Sequence, residues 1–412
     1  MSTFPPPMRE MRPARSRLRS RAALCSRPPA RRSSAPPPAW PASPWRPPRA
    51  AARPNLLIII TDQEHYPRYW PVGWADANLP SRKRLADRGL TFSRAFCNSC
   101  MCSASRSTLF TGLYPAQHGV VSTLTSGGSL SPLEPQLPLN IQNMARMLAS
   151  AGYDVQYRGK WHMSKGSDGG KPSAADVAAY GFQGWVEPDA GENVDPEGFG
   201  GGVANHDTAY AQQAVDFLST QTPESTAERP FALIVSFVNP HDVLAYPRTV
   251  EEDAVYAAIG DKYEQGIEWT DLPSRNELLH ANNKPTAHAQ TLLFLAAGLG
   301  ALLPPPSLDH RNYVNFYAYL LKLVDMHIGT VLDALEAQGL LESTVVIRTS
   351  DHGELGLAHG GLRQKAFNAY HETINVPLTI SNPILFPSPQ TTTALASLVD
   401  VMPTLATLAE VP

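Results

Sequence analysis

The residues from Asn98 to Gly112 hold the side chains best suited to chemistry. Cys102 stands three residues before Ser105 and four before Arg106, and Ser105 to Thr111 reads as a short helix closed by Gly112. A thiol at a helix entrance, with an arginine in the first turn, lies in a positive field that lowers its pKa and holds anions. Chemistry on a negatively charged group is the expectation.

Four further polar clusters follow apolar, β-branched runs. Asn55–Thr61 leads into Asp62-Gln63, and Tyr153–Arg158 into Gly159-Lys160-Trp161-His162. Phe231–Val238 leads into Asn239-Pro240-His241-Asp242, and Thr344–Thr349 into Ser350-Asp351-His352-Gly353-Glu354. Runs of this type read as buried strands of a parallel sheet. Amphipathic stretches between them read as helices at Pro80–Arg88, Asn140–Ala151, Asp207–Ser219 and Asn315–Gln338. The alternation predicts an α/β fold, a mostly parallel central sheet with helices on both faces. Ligands in such sheets sit beyond the carboxyl ends of the strands. Asp62, Gln63, Asp351 and His352 offer two carboxylates, an amide oxygen and an imidazole to a divalent cation. Lys160, His162, Arg106 and Lys365 offer a clamp for an anion. Metal and basic clamp together stabilise a phosphoryl or sulfuryl group in transfer.

Taken singly, each residue has a plainer explanation. A strand-end aspartate is often a cap or turn residue, Trp161 reads as packing, and His118, His327 and His359 read as structural. Cys97-x-x-Cys100 lacks the second ligand pair that zinc needs. The argument rests on four strand ends converging.

The chain has 412 residues, 43% of them hydrophobic, and a formal net charge of −3. Residues 1–53 hold 12 arginines and one acid, so the remaining 22 basic residues face 36 acidic ones. This proline-rich leader reads as disordered and residues 54–412 as the catalytic domain. The leader has no apolar signal core, which tilts the expected compartment to the cytoplasm. Its arginines lack interleaved aromatics, so nucleic acid is not expected as a partner. Thr291–Leu303 is too short to span a membrane, which takes roughly 20 residues. Residues 242–312 break the strand–helix rhythm and read as an irregular insertion near the site.

Cys102-Ser-Ala-Ser-Arg106, followed by Ser-Thr-Leu-Phe-Thr-Gly112, resembles the modification motif of type I sulfatases, in the alkaline-phosphatase-like superfamily. Gly159-Lys-Trp-His162, Thr61-Asp-Gln63, Ser350-Asp-His-Gly353 and Lys365-x4-Tyr370-His-Glu372 resemble further motifs of that family, in its order. The resemblance implies hydrolysis of a small-molecule or glycan sulfate ester to alcohol and sulfate. It implies that a formylglycine-generating enzyme oxidises Cys102, whose hydrated aldehyde is the nucleophile. Position 102 would then bind the metal with Asp62, Gln63, Asp351 and His352. Asp351 would accept the nucleophile's proton, Arg106 would orient the hydrate, and His162 would deprotonate its second hydroxyl. Lys160 and Lys365 would neutralise sulfate, and His241 would contact sulfate or protonate the leaving oxygen. Asp62-Gln63 and Asp351-His352 resemble the branch with choline sulfatases and phosphonate monoester hydrolases, which keeps phosphonate or phosphodiester hydrolysis open. One nitrogen ligand and few carboxylates favour manganese or a similar ion and leave magnesium open, while the resemblance puts calcium first. Members of the family usually continue into a C-terminal subdomain; here the chain stops at Pro412, so a truncated and inactive member is a further reading.

Overall fold

The computed structural model describes residues 53–66, 70–125, 134–190, 206–268, 283–302, 310–366 and 368–411. The arginine-rich leader, apart from Arg53, lies outside the described residues, as do parts of the insertion.

Seven strands form one sheet: β1 (Asn55–Asp62), β2 (Gly89–Phe96), β3 (Asp154–Gly159), β4 (Phe231–Pro240), β5 (Thr344–Ser350), β6 (Asn375–Ser381) and β7 (Gln390–Ser397), in the order β3-β4-β1-β5-β6-β2-β7. The four expected strands are β3, β4, β1 and β5, side by side and parallel. Only β6 runs against its neighbours, antiparallel to β5 and β2.

Strand β1 shows why the sheet is two-faced. Side chains alternate along a strand, so Leu56, Ile58 and Ile60 enter one core with Phe110, Tyr157 and Trp161. Leu57 and Ile59 enter a second core with Val324, Ile328, Val331 and Leu332. All five β1 residues are buried. Truncating one to alanine would cost about 2–5 kcal/mol through lost burial and the cavity left behind.

The second core is closed by helix His310–Ala337, whose stripe of Leu321, Val324, Ile328, Val331, Leu332 and Leu335 is buried. Gly339 ends it at φ 67, a conformation with little cost only for glycine. Asp325 of this helix accepts from the Ser81 and Arg82 amides at 2.8 and 2.9 Å, and so caps helix Pro80–Asp87.

Two expectations need correction. The Cys102 helix begins at Cys102 itself and runs to Thr111, because Ser103 and Ser105 bond outward to Leu124 N and Asp351 O while the backbone stays helical. The insertion is not wholly irregular. It carries a 3-10 turn at His241–Ala245 and helices Val250–Val255 and Ala287–Leu299. The last is apolar around most of its girth, so it shows no stripe to read. Among the described residues, no helix is long and apolar enough to cross a membrane.

Candidate active site

Strands β1, β3, β4 and β5 end on the same edge, and each turns there into a polar segment. Asp62, Cys102, Asp351 and His352 each bring a ligand atom within 4.8 Å of the others, and all four are buried. Cys102 Sγ is 3.1 Å from His352 Nε2 and 3.8 Å from Asp62 Oδ1. His352 Nε2 lies 3.6 Å from both Asp62 Oδ1 and Asp351 Oδ1. Two carboxylates and an imidazole facing one point suit a divalent cation. Gathered at one point, the carboxylates crowd negative charge.

The titration of these groups expresses the crowding. Burial and the Asp62 charge push the Asp351 carboxyl up to about 6. Burial would also raise Asp62, but Lys160, His241 and His352 hold it well below the usual carboxylate range. His352 is raised to about 9 because Asp351 and Cys102 outweigh its burial. Burial would raise the Cys102 thiol too, yet Lys365, Lys160 and His352 bring it well below its ordinary value. The positive field expected from the sequence is therefore present, supplied mainly by these side chains.

Gln63 takes part through a network. Its Oε1 accepts from Lys365 Nζ, and its Nε2 donates to Glu354 Oε2 and, at 3.1 Å, to Gln364 Oε1. Glu354, fully buried, also accepts from Tyr313 Oη at 2.8 Å and the Gln364 amide at 2.7 Å. An ionised carboxylate has no hydrogen to donate, so Glu354 admits only the amide face of Gln63 and turns its oxygen toward Lys365. Glu354 had a sequence signal, since it follows Asp351-His352-Gly353, but no role was read into it.

Lys160 is fully buried, with Nζ 2.5 Å from Asp62 Oδ2. Arg106, also fully buried, is mostly committed to the protein. It donates to Trp161 O at 3.0 Å, Asp351 Oδ2 at 3.2 Å and Tyr157 Oη at 3.1 Å, and to Lys160 O and Ser236 Oγ. It welds the end of β3 to Asp351, and so acts on position 102 from behind, where an anion contact had been expected.

Two buried carboxylates that sequence reasoning missed shape the other strand ends. Asp189 accepts from the Trp161 and His162 amides, both at 2.7 Å. Asp207 accepts from the Val238 and Asn239 amides at 2.7 and 2.9 Å. His162 and Gln63 adopt φ 53 and φ 67, left-handed conformations that cost a non-glycine residue and recur at functional sites.

His162, His241, Lys365 and Cys102 line one cavity of about 320 Å³ with Met101, Leu124, Leu244 and helix residues Phe294 to Leu299. His162 Nε2 pairs with Leu124 O at 2.8 Å. Burial, with Lys365 and Lys160 nearby, lowers His241 to about 3, so its imidazole is neutral. Thus Cys102, His162, His241 and Lys365 face the cavity, while Asp62, Gln63, Lys160, Asp351 and His352 lie beneath it. Trp161 is packing, edge-on to Tyr157 and Phe182 and tilted against Tyr180. His118 is structural, bonded to Thr108 Oγ1 and to the Val120 amide.

Comparison with known proteins bears on what this cavity belongs to. The chain is 30% identical over 380 residues to the uncharacterized sulfatase YidJ of Escherichia coli, covering 87% of this chain and 68% of that one. It is 25% identical over 366 residues to the delta 4,5-hexuronate-2-O-sulfatase of Bacteroides thetaiotaomicron, covering 88% and 69%. Its fold matches the phosphonate monoester hydrolase of Agrobacterium radiobacter with a TM-score of 0.61 at 22% identity, over 87% of this chain and 74% of that one. The sulfatase family model matches residues 54–411, the strands and all the strand-end residues included, and this chain belongs to the sulfatase family.

Proposed function

We propose that the chain hydrolyses a sulfate ester to an alcohol and inorganic sulfate, with formylglycine made from Cys102 and one divalent metal. The observation that carries this reading is the meeting of Asp62, Cys102, Asp351 and His352 within 4.8 Å, flanked by Lys160 and Lys365. A cysteine hydrolase needs neither a cation cradle nor a basic clamp.

Asp62, Asp351 and His352, with the Gln63 oxygen, would hold the cation, which supplies Lewis acidity to the sulfuryl oxygens and to a hydroxyl at position 102. Calcium is the first candidate by family; the nitrogen donor speaks for manganese, and magnesium is a third candidate. Formylglycine supplies, as its hydrate, one hydroxyl to attack sulfur and a second whose deprotonation releases sulfate. Asp351, with a carboxylate oxygen within 4.8 Å of the sulfur at position 102, is placed to take the nucleophile's proton. The His162 Nε2–Leu124 O bond leaves Nδ1 as the basic nitrogen, suited to the second hydroxyl. Lys365 and Lys160 offset sulfate charge. His241, neutral, is suited to donate one N–H to the substrate rather than to arrive as a charged acid. Arg106 positions Asp351 and the Lys160–Trp161 backbone.

The test is co-expression with a formylglycine-generating enzyme. Mass spectrometry of the Cys102 peptide should find the aldehyde, and the product should release sulfate from an aryl sulfate. A second reading, phosphonate monoester hydrolysis, is favoured by the Asp-Gln and Asp-His donor pairs. A wide preference for an aryl phosphonate over the matching sulfate would install it in place of the first. A fully unmodified Cys102 with no hydrolysis would favour an inactive member of the family.

A further inference from the structure

We infer that the alcohol half of the substrate is a compact apolar group, an aryl ring or short alkyl chain, held against helix Ala287–Leu299. This rests on the sulfate-ester reading and assigns the part of the substrate that the strand ends do not touch.

Beyond the strand ends, the described part of the cavity is mainly hydrocarbon, from Met101, Leu124, Leu244, Phe294, Leu295 and Leu299, and its other polar members, Thr123, Thr125 and Gln364, carry no charge. Its titratable lining residues are Cys102, His162, His241 and Lys365, all at the end where the sulfuryl group would sit. No arginine, aspartate or glutamate lines it among the described residues. Lys365 already donates to Gln63 Oε1. A uronate or second sulfate on the substrate would therefore be desolvated against a largely apolar wall with no cation of its own to pair with, a costly burial. An apolar group would gain from the same contact.

The size agrees. A dry cavity of about 150 Å³ accepts benzene; here about 320 Å³ must hold the sulfuryl group and the alcohol. Small ligand sites begin at roughly 300 Å³, so an oligosaccharide is not what this space is shaped for. Gly298 adds to the room, since a Cβ built there would meet nothing within 4 Å.

The wall is also fixed in place. Leu295 packs with Leu355 and Leu362. His288, at the start of the helix, bonds Tyr370 Oη and His359 O, both at 2.8 Å. These contacts tie the helix to the segment bearing Lys365, so apolar wall and sulfate clamp keep a set separation.

The experiment uses the full chain with converted Cys102 and the n-alkyl sulfates from ethyl to hexyl, read as sulfate release. The acidity of the leaving alcohol hardly changes along this series, so its slope reports contact with the wall. Each added methylene should raise kcat/KM about three- to fourfold until the cavity is full. Phe294 is 70% exposed, so Phe294→Ser alters the wall without disturbing packing, and it should flatten the slope. A uronate 2-sulfate should react about a hundredfold or more slowly than hexyl sulfate. A flat series with sulfate release intact, a slope unchanged in Phe294→Ser, or a preference for the uronate overturns the inference and leaves the sulfatase reading standing. If no sulfate ester reacts, the series is repeated with alkyl methylphosphonates. A slope there keeps the apolar wall and removes the sulfatase reading, and a flat result removes both.

Discussion

On the floor of the cavity, Asp62, Lys160, His241 and Asp351 hang from the ends of adjacent strands, buried and electrostatically interlocked. On its wall, Phe294, Leu295 and Leu299 come from one helix of the insertion and present only hydrocarbon. The two regions are built to different tolerances. A buried charge needs its partner at a set distance, and losing one partner leaves the other uncompensated. A hydrocarbon surface works with any side chain of suitable size. On the proposed function, chemistry resides where paired strands of one sheet hold the backbone, and selectivity where one helix can change with little effect on the sheet. Floor variants should lower kcat, and wall variants should move KM and the choice of substrate.

The largest expected effect is on the floor. Cys102→Ala should bring turnover to background, and Lys160→Met should cut kcat about a hundred- to a thousandfold, the usual loss for one preorganised electrostatic contact. Steady-state sulfate release at saturating substrate measures both. A wall variant with an equal loss of kcat would break the distinction. Next is Glu354→Gln, which puts an N–H₂ either against the Gln63 amide or against the Tyr313 hydroxyl and Gln364 amide, each of which now donates to a carboxylate oxygen. With the Gln63 oxygen no longer held in place, metal affinity should fall about ten- to a hundredfold, read by calorimetric titration with calcium or manganese, with or without conversion of Cys102. Unchanged affinity would remove Gln63 from the ligand set.

A smaller effect belongs to the wall. Gly298→Leu starts from a Cβ that meets nothing within 4 Å and extends into the cavity, so KM for hexyl sulfate should rise about tenfold, the worth of roughly two methylenes of contact. Ethyl sulfate and kcat should stay within about twofold. Away from turnover, an effect on stability belongs to His118, which burial lowers to about 4 from an ordinary 6.5. The unfolded chain then binds a proton that the folded chain refuses. Stability is present above pH 6.5 and is lost as pH falls toward 4, by at most about 1.4 kcal/mol per pH unit. Denaturant titrations at several pH values should show that slope reduced in His118→Gln.

The same division governs how much could be read from the sequence. Strands β1, β4 and β5 are visible because burial on both faces demands aliphatic runs, whereas the edge strand β3 is marked only by Val155, Tyr157 and the polar segment that follows it. Strand β7 is mostly exposed and threonine-rich, and β2 is half-buried, so neither carries that mark. Pro377 interrupts β6. The floor residues are visible because strands point at them. Their supports are not. Asp189 caps amides 27 residues back along the chain, and Asp207 caps amides 31 residues ahead, with no local pattern to announce either. The wall is hidden for a third reason: a helix apolar on nearly all sides has no periodicity, and Thr291–Leu303 reads as a bare run of hydrophobic residues.

The place of β1 in the middle of the sheet carries a consequence in time. Cys102 is 2% exposed in the finished fold and lies against His352, 250 residues further along the chain. Neither β5 nor His352 exists on the nascent chain when Cys102 emerges. At about 5–20 residues per second of synthesis, the thiol spends roughly 12 to 50 seconds without the segment that closes over it. An enzyme acting on Cys102 has that interval, and a chain that has already closed offers it almost no surface.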